Sequence, residues 1–182
     1  MNIIIAGCGK VGRALAEQLS REKHDITVID RKPEAIQQIT NIADVRGVVG
    51  NGASYEIQMD AGIDTADLMI AVTDADEVNL LCCLIAKKAG GCQTIARVRN
   101  PVYHHEIHHI KDELGLSMVI NPEWAAAMEM ARLLRFPSAI DIDTFANGRI
   151  ELLRFQLDDK NPLCGHKIRD LDTLSKCEVL VC

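Results

Sequence analysis

The sequence predicts an α/β protein with a doubly wound parallel sheet of six strands. Short apolar segments rich in β-branched residues alternate with helical patterns through about 120 residues. Parallel neighbours in a sheet need crossover connections, and such connections are usually helices. A glycine-rich turn follows the first strand, and an acidic residue ends the second. Together these observations indicate a Rossmann-like sheet that binds a nucleotide.

The first strand, turn and helix begin the chain. Ile3 to Ile5 form the strand, and the turn that follows has a G-x-G-x-x-G pattern, Gly7-Cys8-Gly9-Lys10-Val11-Gly12. Gly7 permits the tight turn, Gly9 lets the backbone approach a pyrophosphate, and Gly12 lets the helix lie close to the strand. Apolar residues recur at helical spacing from Val11, so the free N–H groups at the helix start are predicted to face an anion.

The second strand bears on which nucleotide fits. It is predicted over residues 26–29 and ends at Asp30, 18 residues past Gly12. A carboxylate at this position accepts hydrogen bonds from the hydroxyls of an adenosine ribose and repels the 2′-phosphate of NADP. Arg31 could offset that repulsion. We therefore expect NAD(H), ATP or ADP in preference to NADP.

The rest of the sheet follows in order. Strands are predicted over residues 45–49, 68–73, 94–98 and 118–120, and helices over 33–39, 55–61, 76–88 and 101–114. Thr73 and Asp74 lie at the carboxyl end of the fourth strand, and Arg97 lies near the end of the fifth, at the edge where open α/β sheets bind ligands. We expect Arg97 to contact phosphate or a neighbouring subunit. For Arg99 an ion pair within the fold is the simpler interpretation.

The chain changes character after residue 123. The helix predicted over 124–136 is apolar around most of its circumference, so we expect a second subunit to bury it. Asn147-Gly148, between two segments of β pattern, predicts a hairpin. The final run, 179–182, looks like a strand cut off before it can pair, which indicates a piece of a longer protein.

Composition and charge narrow the class of protein. The chain has 182 residues, 48% of them hydrophobic, and its net charge of −6 without a basic stripe argues against nucleic-acid binding. Because no apolar run could span a membrane and no signal region is present, we expect a cytoplasmic protein. Seven cysteines without a C-x-x-C pair fit reduced, buried thiols. For Cys8, simple packing is favoured over a redox role.

A histidine-rich segment, 104–109, raises the question of a metal. His104 and His108, like His105 and His109, are spaced i, i+4, so each pair could chelate on one helix face. Since no third ligand is evident, a solvated helix face is the favoured interpretation.

From Met1 to about Phe136 the chain resembles the RCK (KTN) domain of the TrkA family. The motifs that carry the resemblance are the glycine loop at 7–12, Asp30, the turn at 50–54, Ala71-Val72-Thr73-Asp74 with Asp76, Glu77 and Asn79, the segment 95–101, and Asn121-Pro122-Glu123. Residues 162–171 are similar to the opening of the family's C-terminal regulatory domain. The resemblance thus implies a nucleotide-binding domain at 1–123, a crossover and dimerisation helix at 124–138, and a hairpin with the start of a small α+β regulatory domain at 139–182.

The resemblance also implies a regulatory subunit. NAD(H), ATP or ADP would occupy the cleft of a homodimer, and dimers would assemble into a tetramer or octameric ring beneath a potassium-translocating membrane subunit of the Trk/Ktr type. Lys10 would approach phosphate, and Glu123 would lie near a cation between subunits. The family often has Asp where this chain has Asn51, and Asn keeps the tolerance for a left-handed turn. The implied cleft residues are Gly7, Cys8, Gly9, Lys10, Val11, Gly12, Asp30, Arg31, Asn51, Gly52, Ala53, Thr73, Asp74, Glu77, Asn79 and Arg97.

The alternative is an NAD-dependent oxidoreductase whose substrate domain lies outside this sequence. A dehydrogenase needs residues that orient a substrate and handle its proton. The 46 residues after Phe136 contain one histidine, His166, and no recognisable acid/base constellation. We therefore favour a regulatory binding module over an enzyme.

Overall fold

The computed structural model describes residues 1–146 and 149–168, apart from the side chains of residues 104, 105, 108 and 110. The chain forms two compact units, the first from Met1 to Ala125 and the second from Ala126 onward. The predicted sheet lies in the first unit.

Six parallel strands form the sheet of the first unit. They are β1 (Asn2–Ala6), β2 (Asp25–Asp30), β3 (Arg46–Val49), β4 (Leu68–Ala71), β5 (Gln93–Arg97) and β6 (Met118–Ile120). Their order is β3-β2-β1-β4-β5-β6, so the chain reverses direction across the sheet between β3 and β4. The connecting helices are α1 (Lys10–Arg21), α2 (Pro33–Ile42), α3 (Tyr55–Asp60), α4 (Asp76–Ala89) and α5 (Pro101–Ile110).

Apolar side chains are buried on both faces of this sheet. Ile3 and Ile5 of β1 belong to a cluster with residues of α1 and α2, whereas Ile4 and Ala6 belong to a cluster with residues of α4. This alternation follows the period of two of a β-strand, and burial on both faces is typical of a parallel sheet. The prediction of a doubly wound, Rossmann-like sheet is confirmed.

Several elements are shorter than predicted, α5 and β4 by more than one residue. Helix α5 ends at Ile110 instead of residue 114, because residues 111–115 form turns in which Gly115 has a φ of +66°. Strand β4 ends at Ala71, and Thr73 instead lies in the loop that leads to α4. These differences affect the ends of the elements and leave their order unchanged.

Helix α6 (Pro122–Arg135) begins in the first unit and continues into the second. Asn121 caps it, because its side-chain oxygen accepts a hydrogen bond from the Trp124 N–H at 2.9 Å and a proline follows at the first helical position. The helix therefore starts two residues before the predicted position.

The second unit contains an antiparallel hairpin of β7 (Ala139–Phe145) and β8 (Ile150–Phe155), as predicted. Its predicted turn residues, Asn147 and Gly148, lie outside the described residues, as does the predicted strand at 179–182. Among the helices described here, none has the length and apolar character needed to cross a lipid bilayer.

Candidate functional site

A cleft of about 520 Å³ opens where the first four strands of the sheet end. This volume lies within the usual range of small-molecule sites, and the position is the switch point at which open α/β sheets bind ligands. The residues that line it are Gly7, Cys8, Gly9, Ile29, Asp30, Arg31, Lys32, Ala35, Gly50, Asn51, Gly52, Val72, Thr73, Asp74, Ala75 and Val78.

The loop between β1 and α1 is tightly built. Gly7 has a φ of +104°, and a Cβ there would lie 2.9 Å from the Thr73 nitrogen. A Cβ on Gly12 would lie 1.8 Å from the Gly7 carbonyl oxygen, so only glycine lets α1 approach the loop this closely. Both glycines therefore have the roles that the motif predicts.

Gly9 faces open space. A Cβ on this residue would meet no atom within 4 Å, and Gly9 immediately precedes the first turn of α1. The N–H groups of that turn and the positive end of the helix dipole favour an anion at this position. The start of α1 at Gly9 is therefore open to an approaching anion.

Asp30 connects the end of β2 to the glycine loop. One of its carboxylate oxygens accepts a hydrogen bond from the Cys8 N–H at 2.6 Å, and the other accepts from the Lys32 N–H at 2.9 Å. Each oxygen has further lone pairs, so the carboxylate can still accept hydrogen bonds from ribose hydroxyls. The two backbone contacts hold the carboxylate in place at the edge of the cleft.

Arg31 and Asn51 are neighbours in the cleft lining. The Arg31 guanidinium donates a hydrogen bond to the Asn51 side-chain oxygen at 3.0 Å, and the Ala53 N–H donates to the same oxygen at 3.2 Å. Because asparagine is neutral, it positions Arg31 without cancelling its positive charge. With Lys32, Arg31 balances the two acids of the cleft lining, Asp30 and Asp74.

Gly52 and Gln58 fix the turn after β3. A Cβ on Gly52 would lie 2.9 Å from the Cβ of Ala6, so the turn can approach β1 only with glycine. The Gln58 side chain is fully buried and donates hydrogen bonds to the carbonyl oxygens of Gly52 (2.7 Å) and Cys82 (3.0 Å). Sequence reasoning missed Gln58, because one glutamine in a short helix gives no signal of burial.

Asn79 lies behind the cleft. It is fully buried, and its side-chain oxygen accepts hydrogen bonds from the N–H and the hydroxyl of Thr73, both at 2.7 Å. Its amide nitrogen donates to the carbonyl oxygens of Thr73 and Arg97, at 3.3 and 2.9 Å. Asn79 therefore holds the lining residue Thr73 in place from outside the lining.

Arg97 and Glu123 contact each other. The Arg97 guanidinium donates a hydrogen bond to the Glu123 carboxylate at 2.5 Å, and neither residue lines the cleft. The roles predicted for Arg97 at phosphate or a subunit contact, and for Glu123 at a cation, stay predictions. Arg99 forms an ion pair within the fold, as predicted. Its side-chain nitrogen lies 3.7 Å from a carboxylate oxygen of buried Asp76.

Nine of the predicted cleft residues line the cleft together, namely Gly7, Cys8, Gly9, Asp30, Arg31, Asn51, Gly52, Thr73 and Asp74. Seven others lie outside the lining, namely Lys10, Val11, Gly12, Ala53, Glu77, Asn79 and Arg97. Of these, exposed Lys10 is the first residue of α1, and Glu77 accepts a hydrogen bond from the Tyr103 hydroxyl at 2.9 Å. Their contacts with a nucleotide stay predictions.

Sequence reasoning also missed part of the lining. The lining residues that it did not assign to the cleft are Ile29, Lys32, Ala35, Gly50, Val72, Ala75 and Val78. Ile29 and Val72 resemble ordinary core residues in the sequence and are indeed buried. Lys32 and Ala75 directly follow named residues, so their position next to Arg31 and Asp74 was the available signal.

The cysteines of the first unit are buried thiols. Burial raises the pKa of the Cys8 thiol, and the negative charge of Asp30 raises it further. Burial likewise raises the pKa of Cys82 to about 12. Because the thiolate is the reactive form, these thiols are poor nucleophiles at neutral pH, which supports packing as the role of Cys8.

No group of three or more His, Cys, Asp or Glu side chains suited to a metal occurs within the described part of the chain. The side chains of His104, His105 and His108 lie outside that part. The metal hypothesis for the histidine segment therefore stays a prediction.

Comparison with known proteins places this sheet and cleft in a family. The model of the TrkA-N domain matches residues 3–122. The chain belongs to the TrkA-N domain family. It is 38% identical over 171 residues to a Trk system potassium uptake protein TrkA homolog of Archaeoglobus fulgidus, covering 94% of this chain and 39% of that relative. The chain thus spans about two fifths of the length of the curated relatives it matches.

Solved structures share the fold. The TrkA-N domain of the inner membrane protein ybaL from Escherichia coli has a TM-score of 0.65 at 26% identity, covering 73% of this chain and 96% of that one. A Kef CTD from Shewanella denitrificans in AMP-bound form has a TM-score of 0.62 at 21% identity, with coverages of 75% and 82%. The GsuK channel bound to NAD has a TM-score of 0.56 at 20% identity, with coverages of 65% and 21%.

Proposed function

We propose that this chain is the nucleotide-binding regulatory part of a TrkA-like potassium uptake system. In this proposal it binds NAD(H), ATP or ADP in the cleft. At the inner face of the membrane it then gates a Trk/Ktr-type membrane subunit that translocates potassium. The family assignment and the potassium uptake relatives support the regulatory role.

The observation that carries the proposal is the relation between Asp30 and Gly9. Two backbone N–H groups hold the Asp30 carboxylate beside the glycine loop, and the space in front of Gly9 is open. A nucleotide offers a ribose diol and a phosphate group, which complement the carboxylate and the helix start respectively. The cleft thus suits the ribose and the phosphate of an adenosine phosphate.

An adenine nucleotide is the ligand class that fits best. The similar structures include one solved with AMP and one with NAD, and the Asp30 carboxylate repels a 2′-phosphate. When bound, the nucleotide contributes its phosphates and ribose hydroxyls, and the loop, Asp30 and Arg31 orient them. Lys10, at the start of α1, would add a positive charge for the outer phosphates.

Regulation requires that the nucleotide bind one conformation better than another. Shifting a two-state equilibrium almost completely needs about 5.5 kcal/mol of differential binding. A ring of subunits can share this requirement, since each site needs to supply only about 1–3 kcal/mol. We propose that phosphate number, sensed by the glycine loop with Lys10, distinguishes the activating ligand. Equal effects of ATP and ADP on assembly shape in small-angle scattering would contradict this step.

The regulatory proposal needs no catalytic group. The relatives named as potassium uptake proteins favour a regulatory role over that of an oxidoreductase. Steady nicotinamide turnover by the full-length protein with a suitable substrate would instead favour the oxidoreductase alternative.

Thermal denaturation with NADH, NAD, ATP, ADP and NADP tests the proposal. A ligand at 100 times its dissociation constant stabilises the folded state by about 2.7 kcal/mol, which raises Tm by roughly 5–10 °C for a chain of this size. We expect such a rise with at least one of the four nucleotides that lack a 2′-phosphate. The rise with NADP should be smaller. No rise with any of the five would refute nucleotide binding.

A further inference from the structure

Two series of hydrogen bonds run from the cleft to the first turn of α6. The first begins at Thr73, which lines the cleft and bonds to the Asn79 side chain. Asn79 in turn donates to the Arg97 carbonyl oxygen at 2.9 Å, and the Arg97 guanidinium donates to Glu123 at 2.5 Å. Glu123 is the second residue of α6.

The second series begins one residue later, at Asp74. The Asp74 carbonyl oxygen accepts a hydrogen bond from the Arg99 guanidinium. The Arg99 carbonyl oxygen accepts from the Asn121 side chain at 3.1 Å, and the Asn121 oxygen accepts from the Trp124 N–H at 2.9 Å. Asn121 is the cap of α6, so this series ends in the same helical turn as the first.

Asn79 is a stiff link in the first series. Its amide makes four hydrogen bonds, which is its full capacity, and the residue has no exposed surface. A displacement of Thr73 must therefore either break a buried hydrogen bond or move the Arg97 backbone, and breaking a buried hydrogen bond is costly. Buried Asp76 supports the loop after β5. Its carboxylate accepts hydrogen bonds from the Arg99 and Asn100 N–H groups of that loop at 2.9 and 2.8 Å.

We propose that Asn79, Arg97, Arg99 and Asn121 are positioning residues that transmit occupancy of the cleft to the first turn of α6. A nucleotide that contacts Thr73 and Asp74 shifts the loop after β4, and the two series move Glu123 and Trp124 with it. This inference rests on the proposed function, since it requires a nucleotide in the cleft. It adds the residues through which that nucleotide acts on α6.

The chain offers a built-in reporter for this movement. Trp124 is its only tryptophan, it lies in the first turn of α6, and it does not line the cleft. Its fluorescence therefore responds to the environment of that turn. ADP is the suitable probe, because unlike NADH it does not absorb tryptophan emission. Isothermal calorimetry on the same samples measures whether ADP is bound.

Each series of hydrogen bonds can be interrupted separately by a substitution at a partly exposed side chain. Glu123→Ala removes the end of the first, and Arg99→Met removes the guanidinium of the second while retaining the apolar stem. The Glu123 and Arg99 side chains are 53% and 42% exposed, so neither variant opens the core. Glu113→Ala is the matched control, because it removes an exposed acid of the first unit that belongs to neither series.

We expect ADP to change the Trp124 fluorescence of the unaltered chain and of Glu113→Ala equally. Each single variant should lose about half of that change, and the double variant nearly all of it, while ADP affinity shifts by no more than about 10-fold. A purely structural role would alter stability without separating binding from the fluorescence response.

The outcomes distinguish this inference from the proposed function. Calorimetric binding of ADP without a fluorescence change in the unaltered chain refutes the inference alone. A full fluorescence change in the double variant also refutes it. If neither ADP nor any other nucleotide produces heat, the proposed function fails and the inference fails with it.

Discussion

In the proposed function, nucleotide choice depends most on Asp30. Its carboxylate both fixes the loop, through the Cys8 and Lys32 N–H groups, and presents the remaining lone pairs to the cleft. A replacement therefore has two effects, one on the loop and one on the ligand. Asp30→Asn keeps the shape of the side chain but only one of its two acceptor oxygens, so one of the two backbone hydrogen bonds is lost and the other can remain.

We expect Asp30→Asn to weaken NAD and ADP binding by about 10- to 150-fold. Hydrogen bonds to a charged acceptor contribute roughly 1.5–3 kcal/mol, which corresponds to that range. Affinity for NADP should fall less, because the repulsion of the 2′-phosphate disappears together with the charge. Calorimetric dissociation constants for NAD and NADP measure both changes.

Asp25→Asn is the control for this prediction. Asp25 begins the same strand at the end remote from the cleft, and it is exposed. It should bind all nucleotides as the unaltered chain does. Unchanged NAD affinity in Asp30→Asn would place Asp30 outside the binding site.

Individual residues also show how far sequence reasoning reaches. Gly7, Gly9 and Asp30 were predictable, because each belongs to a local pattern with a known physical purpose. Gln58 was not predictable, because its role arises from contact with Gly52 and Cys82, the latter 24 positions away in the chain. Side chains that support a site from behind give no local pattern.

At the level of elements, the loop between β1 and α1 holds two glycines in different surroundings. Gly12 lies where a Cβ would collide with the Gly7 carbonyl oxygen, whereas Gly9 has open space in front of it. The same substitution should therefore affect stability at Gly12 and ligand binding at Gly9. Each variant serves as the control for the other.

We expect Gly12→Ala to lower stability and Gly9→Ala to abolish nucleotide binding. Overpacking of this kind costs about 1–3 kcal/mol, so the Tm of Gly12→Ala should fall by roughly 2–12 °C. Gly9→Ala should retain its Tm within about 2 °C, because its φ of −74° suits alanine and the added methyl group touches no protein atom. Its methyl group would occupy the space that a phosphate needs.

Thermal denaturation with and without ADP checks both expectations. If Gly9→Ala retained the full stabilisation by ADP, phosphate would not approach the loop at Gly9. If Gly12→Ala retained its Tm, the close contact with Gly7 would not limit the position of α1.

The order of the elements followed from the sequence more fully than their ends did. Six apolar segments separated by helical patterns define a parallel sheet, since crossover connections leave few other arrangements. The end of α5 was misjudged because the apolar pattern continues to Leu114, although the backbone already turns after Ile110. Hydrophobic periodicity indicates which residues face the core. Apolar residues of a turn can continue that periodicity beyond the end of a helix.

At the scale of the whole molecule, α6 presents an apolar surface within a single chain. Met130, Leu133 and Leu134 are 64%, 57% and 79% exposed, and none of the helix's residues is buried. Exposed apolar residues grouped on one helix mark an interaction surface, and a second copy of this chain is the partner that the sequence predicts.

We expect the chain to sediment as a dimer, and Leu134→Glu to shift it toward monomer. A buried charge without a partner is strongly unfavourable, so the dimer dissociation constant should rise at least about 10-fold, which corresponds to about 1.4 kcal/mol. Gln18→Glu is the control, because it adds the same charge at an exposed position of α1. Sedimentation velocity over a range of concentrations measures the equilibrium. A monomeric unaltered chain, or a Leu134→Glu variant as dimeric as Gln18→Glu, would exclude α6 as the dimer surface.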